Sequence, residues 1–342
     1  MVTITITVPI MHKDITFLDD VTEATRQKVL KFVKDWNSND KWINVRTSGS
    51  TGKPKTITLL KQQMKASAQA TVSFFNLKAE QTILLALSTD YIAGKMMLIR
   101  ALEHQLKIIV APINVNPLDM ELEQAIHFSA FVPLQVQTIL TNKRSRTNYE
   151  SISNVIIGGA VINDSLESDL HTLANNNYAT FGMTETISHI ALRNITKKEK
   201  HYTALPQVDF IVTKKNCLII NAPLVCKEAL ETNDCVELLN NKQFIWKGRA
   251  DFVINSGGIK LHPEEIETKI KSILPNNQFY LIGKEDEVLG QKLILKIEGD
   301  KLLDLEKMML SLKTILTKYE TPKEIIIVSE FKMTPTGKII RE

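Results

Sequence analysis

Apolar positions recur along this chain in two alternating rhythms. Residues 61–75 carry Met64, Ala68, Val72 and Phe75 at helical spacing and predict a helix. Residues 83–87 form a continuous apolar run, the pattern of a strand buried on both faces. A helix over 94–105 and a strand over 107–111 are expected next, then a helix over 117–128, a strand over 129–132 and a helix over 133–141. A strand at 155–157 runs into Gly158-Gly159, a helix covers 163–175, and a strand at 178–181 runs into Gly182. Such βα alternation predicts an α/β fold, with a large N-terminal domain whose mostly parallel sheet is flanked by helices. Ligands of these sheets bind beyond the carboxyl ends of the strands, where Gly158-Gly159-Ala160 and Gly182-Met183-Thr184-Glu185 fall. Residues 1–10 alternate Thr with Val or Ile and read as a further strand.

From residue 206 to 246 the pattern shortens to strands and turns. Gly248-Arg249-Ala250-Asp251 is polar and turn-like, and a new unit starts beyond it. A helix is expected over 261–274: Pro263 suits a first turn, Glu264 and Glu265 complement the helix dipole, and Ile266, Ile270, Ile273 and Leu274 make one face. A strand near 279–282, a helix near 300–318 and a strand near 324–328 complete a small α+β domain of about ninety residues. The division is therefore an N-terminal domain over 1–247, a hinge at 248–251 and a C-terminal domain over 252–342.

Composition narrows the class. The chain has 342 residues, 44% of them hydrophobic and 23% charged, with a formal net charge of +4. That fits a globular protein of more than one domain. No run of five like charges suggests a nucleic-acid partner, and no apolar stretch is long enough to span a membrane. The N-terminus lacks the basic head and apolar block of a signal peptide. Cys217, Cys226 and Cys235 form no CxxC pair, so reduced, buried thiols in a cytoplasmic protein are expected, without a zinc site or disulfide framework.

The strongest chemical signal is Thr47-Ser48-Gly49-Ser50-Thr51-Gly52-Lys53-Pro54-Lys55. Hydroxyls, ammonium groups and the close-approaching backbone of Gly49 and Gly52 suit a polyphosphate. It is no Walker A loop: only two residues separate its glycines, and Pro54 steers Lys53 away from helical backbone.

In the same order along the chain come Tyr178-Ala179-Thr180-Phe181-Gly182-Met183-Thr184-Glu185-Thr186, Asp234, Gly248-Arg249-Ala250-Asp251, Gly257-Gly258-Ile259-Lys260 and Pro335-Thr336-Gly337-Lys338. Together they resemble the adenylate-forming superfamily of acyl-CoA synthetases, adenylation domains and luciferases, from about residue 45 to the C-terminus. Asp90-Tyr91-Ile92-Ala93-Gly94-Lys95-Met96-Met97 and the run from Gly182 to His189 are most similar to the short o-succinylbenzoate–CoA ligases of menaquinone biosynthesis. Two features depart from the family. The region before the phosphate loop is short, and Asn233 stands where a glycine usually precedes the aspartate.

The resemblance implies an AMP-forming acid–thiol ligase that uses ATP, Mg²⁺ and coenzyme A on a small carboxylic acid. It assigns the triphosphate to the 47–55 loop and the bridge between substrate carboxylate and α-phosphate to Lys338. Thr184 would reach the α-phosphate and Glu185 would hold Mg²⁺. Asp234 would bind the ribose, with Arg249 assisting. Gly158, Gly159 and Ala160 would close on adenine beside Tyr178 or Phe181. Asp251 would be the hinge that swings a mobile C-terminal domain, bringing Gly257, Gly258 and Lys260 to the thiol path. Lys95, Ser188 and His189 are nominated for the second carboxylate of the acid. The competing readings are another aryl- or fatty-acyl-CoA ligase, a carrier-protein-loading enzyme, and a non-catalytic acyl-adenylate-binding relative.

Overall fold

The fold was derived from a computed structural model, which describes residues 14–46, 56–122, 124–275, 277–299, 304–333 and 339–342. The strand expected over 1–10 lies outside these residues. The chain divides into two compact units. The first runs to Val208 and takes in Ala222–Glu228; the second comprises Asp209–Asn221 and the chain from Ala229 on.

In the first unit the order is β1 (Ile15–Phe17), α1 (Glu23–Trp36), β2 (Trp42–Arg46), β3 (Thr56–Leu60), α2 (Lys61–Phe74), β4 (Thr82–Leu85), α3 (Ile92–His104), β5 (Lys107–Val110) and β6 (Phe128–Phe131). Then come α4 (Pro133–Thr141), α5 (Lys143–Glu150), β7 (Asn154–Ile157), α6 (Asp164–Leu170), β8 (Asn176–Gly182), β9 (His189–Asn194) and β10 (Tyr202–Ala204). The sheet order is β1-β5-β4-β6-β7-β8-β9-β10, while β2 and β3 pair apart as a hairpin. Strands β1 to β8 of that sheet run parallel, and β9 and β10 return antiparallel. The residues of β4 and β6 are buried throughout, and residues 83–85 of β4 accordingly belong to an unbroken apolar run.

Helix α3 is hydrophobic on nearly every side: Met96 to Leu102 are all buried. Gly94 lets it approach the preceding loop, since a Cβ there would lie 2.3 Å from the Ser88 carbonyl oxygen. The buried ammonium of Lys61 at the head of α2 donates to the carbonyls of Asp35, Trp36 and Ser38, and so caps the C-terminal end of α1.

The second unit begins with β11 (Asp209–Val212), β12 (Cys217–Asn221), β13 (Leu230–Asn240) and β14 (Gln243–Arg249), an antiparallel meander. It continues with β15 (Ile254–Ser256), β16 (Ile259–Leu261), α7 (Pro263–Ile270), β17 (Phe279–Asp286), β18 (Gly290–Glu298), α8 (Leu305–Ile315) and β19 (Glu324–Val328). These build a five-stranded sheet whose core joins Ile254, Ile266, Ile270, Leu281, Leu295 and Leu312. Parallel sheet in one unit and a small α+β body in the other make this an α/β protein of the predicted class.

One predicted helix does not form. Among the described residues of 117–128 the backbone is irregular, with Leu118 and Ile126 fully buried. Its polar groups bond elsewhere: the Asn148 amide donates to the carbonyls of Leu118 and Met120, and the His127 N–H donates to Thr82 O. The sequence reading also lacks α1 and α5, and α6 is shorter than the expected helix over 163–175. No helix among the described residues is long and apolar enough to cross a membrane.

Candidate active site

Parallel pairing of β7 with β8 puts Gly158-Gly159-Ala160 and the segment from Gly182 at the carboxyl ends of neighbouring strands. Gly158 faces Thr180, whose Oγ1 would lie 2.1 Å from an added Cβ, and Gly159 has φ +86°. After Gly182, Thr184–Thr186 make one 3₁₀ turn. The chain then folds back so tightly that a Cβ on Gly182 would meet the Ser188 carbonyl oxygen at 2.5 Å and the His189 Cα at 2.6 Å. The reversal is a γ-turn: Ile187 has φ 67° and ψ −56°, and the Ser188 N–H donates to Thr186 O at 2.7 Å. A β-branched residue at positive φ is strained, and strain of this kind concentrates where a segment must hold an unusual shape. Thr186 Oγ1 braces the turn, accepting from the Met183 N–H at 3.0 Å. Thr184 and the exposed Glu185 lead this braced loop.

The two aromatic candidates lie on opposite faces of β8, because side chains alternate along a strand. Tyr178 is held edge-on by Phe75 and Phe74, with ring centroids 5.1 and 5.9 Å away. Phe181 packs against Tyr202 at 5.7 Å.

Ser188 and His189 lead into a buried polar cluster with Arg100 of α3 and Thr71 of α2. Arg100 is 1% exposed. Its Nη2 donates to Ser188 Oγ at 3.4 Å and its Nη1 reaches the Met97 sulfur at 3.5 Å. Its Nε has no partner, and no carboxylate among the described residues pairs with it. Burial pushes the guanidinium down to about 9, so it remains a cation at neutral pH. Ser188 Oγ lies 3.3 Å from His189 Nδ1, and His189 Nε2 lies 3.3 Å from Thr71 Oγ1. Burial, and then the charge of Arg100, hold the imidazole well below its ordinary value, so it is neutral. Sequence reasoning missed Arg100. The available signal was a guanidinium inside a helix otherwise made of core residues.

Lys95 sits elsewhere on α3. Its ammonium donates to the Thr89 carbonyl and lies 5.4 Å from the centroid of the Phe32 ring. It borders a cavity with Lys28, Asp35, Asp40, Trp42 and Asp90, not the Arg100 cluster.

In the second unit Asp234 of β13 is buried and faces Arg249 of β14 across the ladder. Its Oδ1 accepts from Trp246 Nε1 at 2.9 Å. Arg249 turns to Asp251, donating from Nη2 at 2.6 Å and from Nε at 3.2 Å. Asn233 Nδ2 donates to the other oxygen of Asp251 at 3.1 Å. The hinge candidate is thus held from both sides, and the family's missing glycine is replaced by one of its holders. Gly257 (φ 57°) and Gly258 (φ 81°) form the two-residue turn between β15 and β16, the positive-φ pair that a tight hairpin prefers. Lys260 follows, exposed. The expected phosphate-loop residues 47–55 and Lys338 lie outside the described residues. Among the described residues no three potential metal ligands gather. A single carboxylate such as Glu185 fits Mg²⁺, which is usually held by one or two carboxylates together with substrate phosphates.

The sequence profile of AMP-binding enzymes matches residues 5–224, well over half of the chain. The chain belongs to the AMP-binding enzyme family. A solved structure of similar length, an acyl-CoA synthetase (AMP-forming)/AMP-acid ligase II-like protein from Dyadobacter fermentans, is 34% identical, with 94% of each chain covered and a TM-score of 0.66. The 2-succinylbenzoate–CoA ligase of Lactococcus lactis is 25% identical over 96% of this chain and 79% of its own length. The o-succinylbenzoate coenzyme A synthetase of Bacillus subtilis, solved with ATP and magnesium ion, shares the AMP-binding fold at a TM-score of 0.71, with 18% identity over 86% of this chain and 68% of that one.

Proposed function

We propose that this member of the AMP-binding family is an ATP-dependent acyl-CoA ligase acting on 2-succinylbenzoate. A carboxylate is a poor acyl donor because its leaving group would be oxide. Attack on the α-phosphorus of ATP gives the acyl-adenylate and pyrophosphate; attack by the coenzyme A thiol then gives the thioester and releases AMP. Negative charge develops in both steps, so positioning and electrostatics carry the catalysis. In this reading the 47–55 loop binds the outer phosphates, Thr184 meets the α-phosphate, and Lys338 bridges it to the acid. Bound Mg²⁺ would neutralise phosphate charge, with Glu185 as its protein ligand. Asp234 takes the ribose hydroxyls, and Gly158, Gly159 and Ala160 line the base. Phe181 is the better adenine wall, because it stands beside Gly182 at the carboxyl end of β8, whereas Tyr178 lies three residues back along the strand. Gly257, Gly258 and Lys260 serve the thiol step after rotation at Asp251. A cytoplasmic location belongs to the same reading.

The observation that carries the substrate is Arg100. A buried, unpaired cation is costly unless something anionic completes it. The second carboxylate of 2-succinylbenzoate is such a partner, and Ser188 stands beside it. The relatives named for this substrate support the same choice. Arg100 therefore takes the role first nominated for Lys95. The test is Arg100→Met in an ATP–pyrophosphate exchange assay. KM for 2-succinylbenzoate should rise about tenfold to a hundredfold, the size of a hydrogen bond to a charged group. KM for ATP should not change. Equal loss for acids without a second carboxylate would remove the substrate assignment and leave the adenylation chemistry standing.

A further inference from the structure

We propose that Thr71 and His189 are positioning residues that fix the proton direction of Ser188, and through it the guanidinium of Arg100. This rests on the reading of Arg100 as the site for the acid's second carboxylate. The hydrogens that link these four side chains can be traced in turn. Thr71 Oγ1 lies 3.2 Å from Ser67 O, the carbonyl one turn back on α2, and a carbonyl only accepts. If the threonine proton goes there, Thr71 Oγ1 is left to accept from His189, so the ring proton sits on Nε2. The bare Nδ1 then accepts the Ser188 hydroxyl proton, and Ser188 Oγ presents its lone pairs to Arg100 Nη2. Donation thus runs one way, from Arg100 to Ser188 to His189 to Thr71 to Ser67 O.

The opposite tautomer serves these groups less well. With the ring proton on Nδ1, both the imidazole and Arg100 would donate to Ser188 Oγ. The serine proton would then have no acceptor among the described residues, and Ser67 O would lose its side-chain donor. Buried groups left without partners are costly, so the fully connected arrangement is favoured. Its consequence is selectivity. The subsite offers the incoming acid a cation and N–H donors, while the serine hydroxyl proton is committed to His189. An anionic group is drawn to the guanidinium, and a cationic group is repelled by it.

The ring nitrogens can be read directly by heteronuclear NMR on the intact protein. The chain has seven histidines, and the signals lost in His189→Asn identify this one. The expected pattern is a protonated Nε2 and a bare Nδ1 at neutral pH. Thr71→Val removes the acceptor at Nε2 and should shift the ring toward the Nδ1-protonated form. It should also raise KM for 2-succinylbenzoate about threefold to tenfold, the range of one neutral hydrogen bond, with kcat and KM for ATP unchanged. Thr71→Ser should restore both readouts. A ring protonated at Nδ1 in the wild type, or Thr71→Val with an unaltered KM for the acid, overturns the proposal. If the wild type ignores 2-succinylbenzoate altogether, the substrate reading falls, and the ring spectrum by itself decides the proton relay.

Discussion

At the scale of single residues, the candidate acid site sets function against stability. Arg100 is buried without a carboxylate, and replacing a buried charge by an apolar side chain of similar volume is often neutral or stabilising. Arg100→Met should therefore leave the melting temperature unchanged or raise it while KM for the acid climbs; a large loss of stability would mean that the guanidinium has an internal partner. His189 gives a pH signature. Its folded value lies well below the ordinary 6.5, so below that pH the unfolded chain binds a proton that the folded chain refuses. Stability tied to this group is full above about 6.5 and declines as the pH falls toward the folded value, by at most ~1.4 kcal/mol per pH unit. His104 and His262 are depressed in the same direction, chiefly by burial, and add to the trend. The melting temperature of His189→Gln should fall less than that of the wild type between neutral pH and about pH 5. An identical fall would show that the ring takes up its proton without unfolding.

At the scale of elements, the ends of β7 and β8 meet through a glycine and a threonine. Gly158→Ala sets a Cβ 2.1 Å from Thr180 Oγ1, and overpacking of this kind costs roughly 1–3 kcal/mol. Thr180→Ala removes that oxygen, and the next atom, Thr180 Cβ, lies at 3.4 Å, an ordinary contact. The double variant should recover most of the stability lost by Gly158→Ala, and thermal melts of the four proteins would measure the coupling. If the two losses simply add, the clash is not what limits the site. Such contacts explain what was legible in the sequence. Helix α2 and strand β4 were, because one carries a regular apolar period and the other an unbroken apolar run. Helix α1 carries Val29, Phe32, Val33 and Trp36 at the same period and was equally open to reading. The stretch over 117–128 was not, because Asn148 and Thr82, distant in sequence, take the backbone bonds that a helix would need. The glycines at strand ends were visible as punctuation, whereas a β-branched Ile187 gives no sign of its γ-turn, and the Arg100 cluster exists only once α2, α3 and residues 188–189 have met.

At the scale of the whole molecule, two half-reactions are asked of one chain, and the proposed pivot is Asp251. Its carboxylate is gripped by Arg249 and Asn233, while a few residues on Glu264 of α7 presses on Gly248. A Cβ at Gly248, where φ is +135°, would lie 2.5 Å from Glu264 Oε2, and that oxygen is buried without a partner. Burial raises the Glu264 carboxyl above its usual value. A carboxyl with a raised folded value favours this arrangement below the ordinary value of 4.5, and that help is lost as the pH rises through the folded value. Above the folded value the buried charge works against this packing. Glu264→Gln removes the charge and should favour the arrangement seen here. Asp251→Pro acts at the pivot, because proline fixes φ near −65° and confines the residue before it. If rotation at Asp251 separates the two steps, Asp251→Pro should keep acyl-adenylate formation near the wild-type rate and slow transfer to coenzyme A. Single-turnover assays of each half-reaction measure this, with supplied acyl-adenylate for the second. Glu264→Gln should change the balance between the half-reactions without abolishing either, and more at pH values above the folded value of Glu264 than below it. Normal rates for both steps in Asp251→Pro would move the pivot elsewhere along 248–251, and equal loss in both would make the segment a structural support for β14.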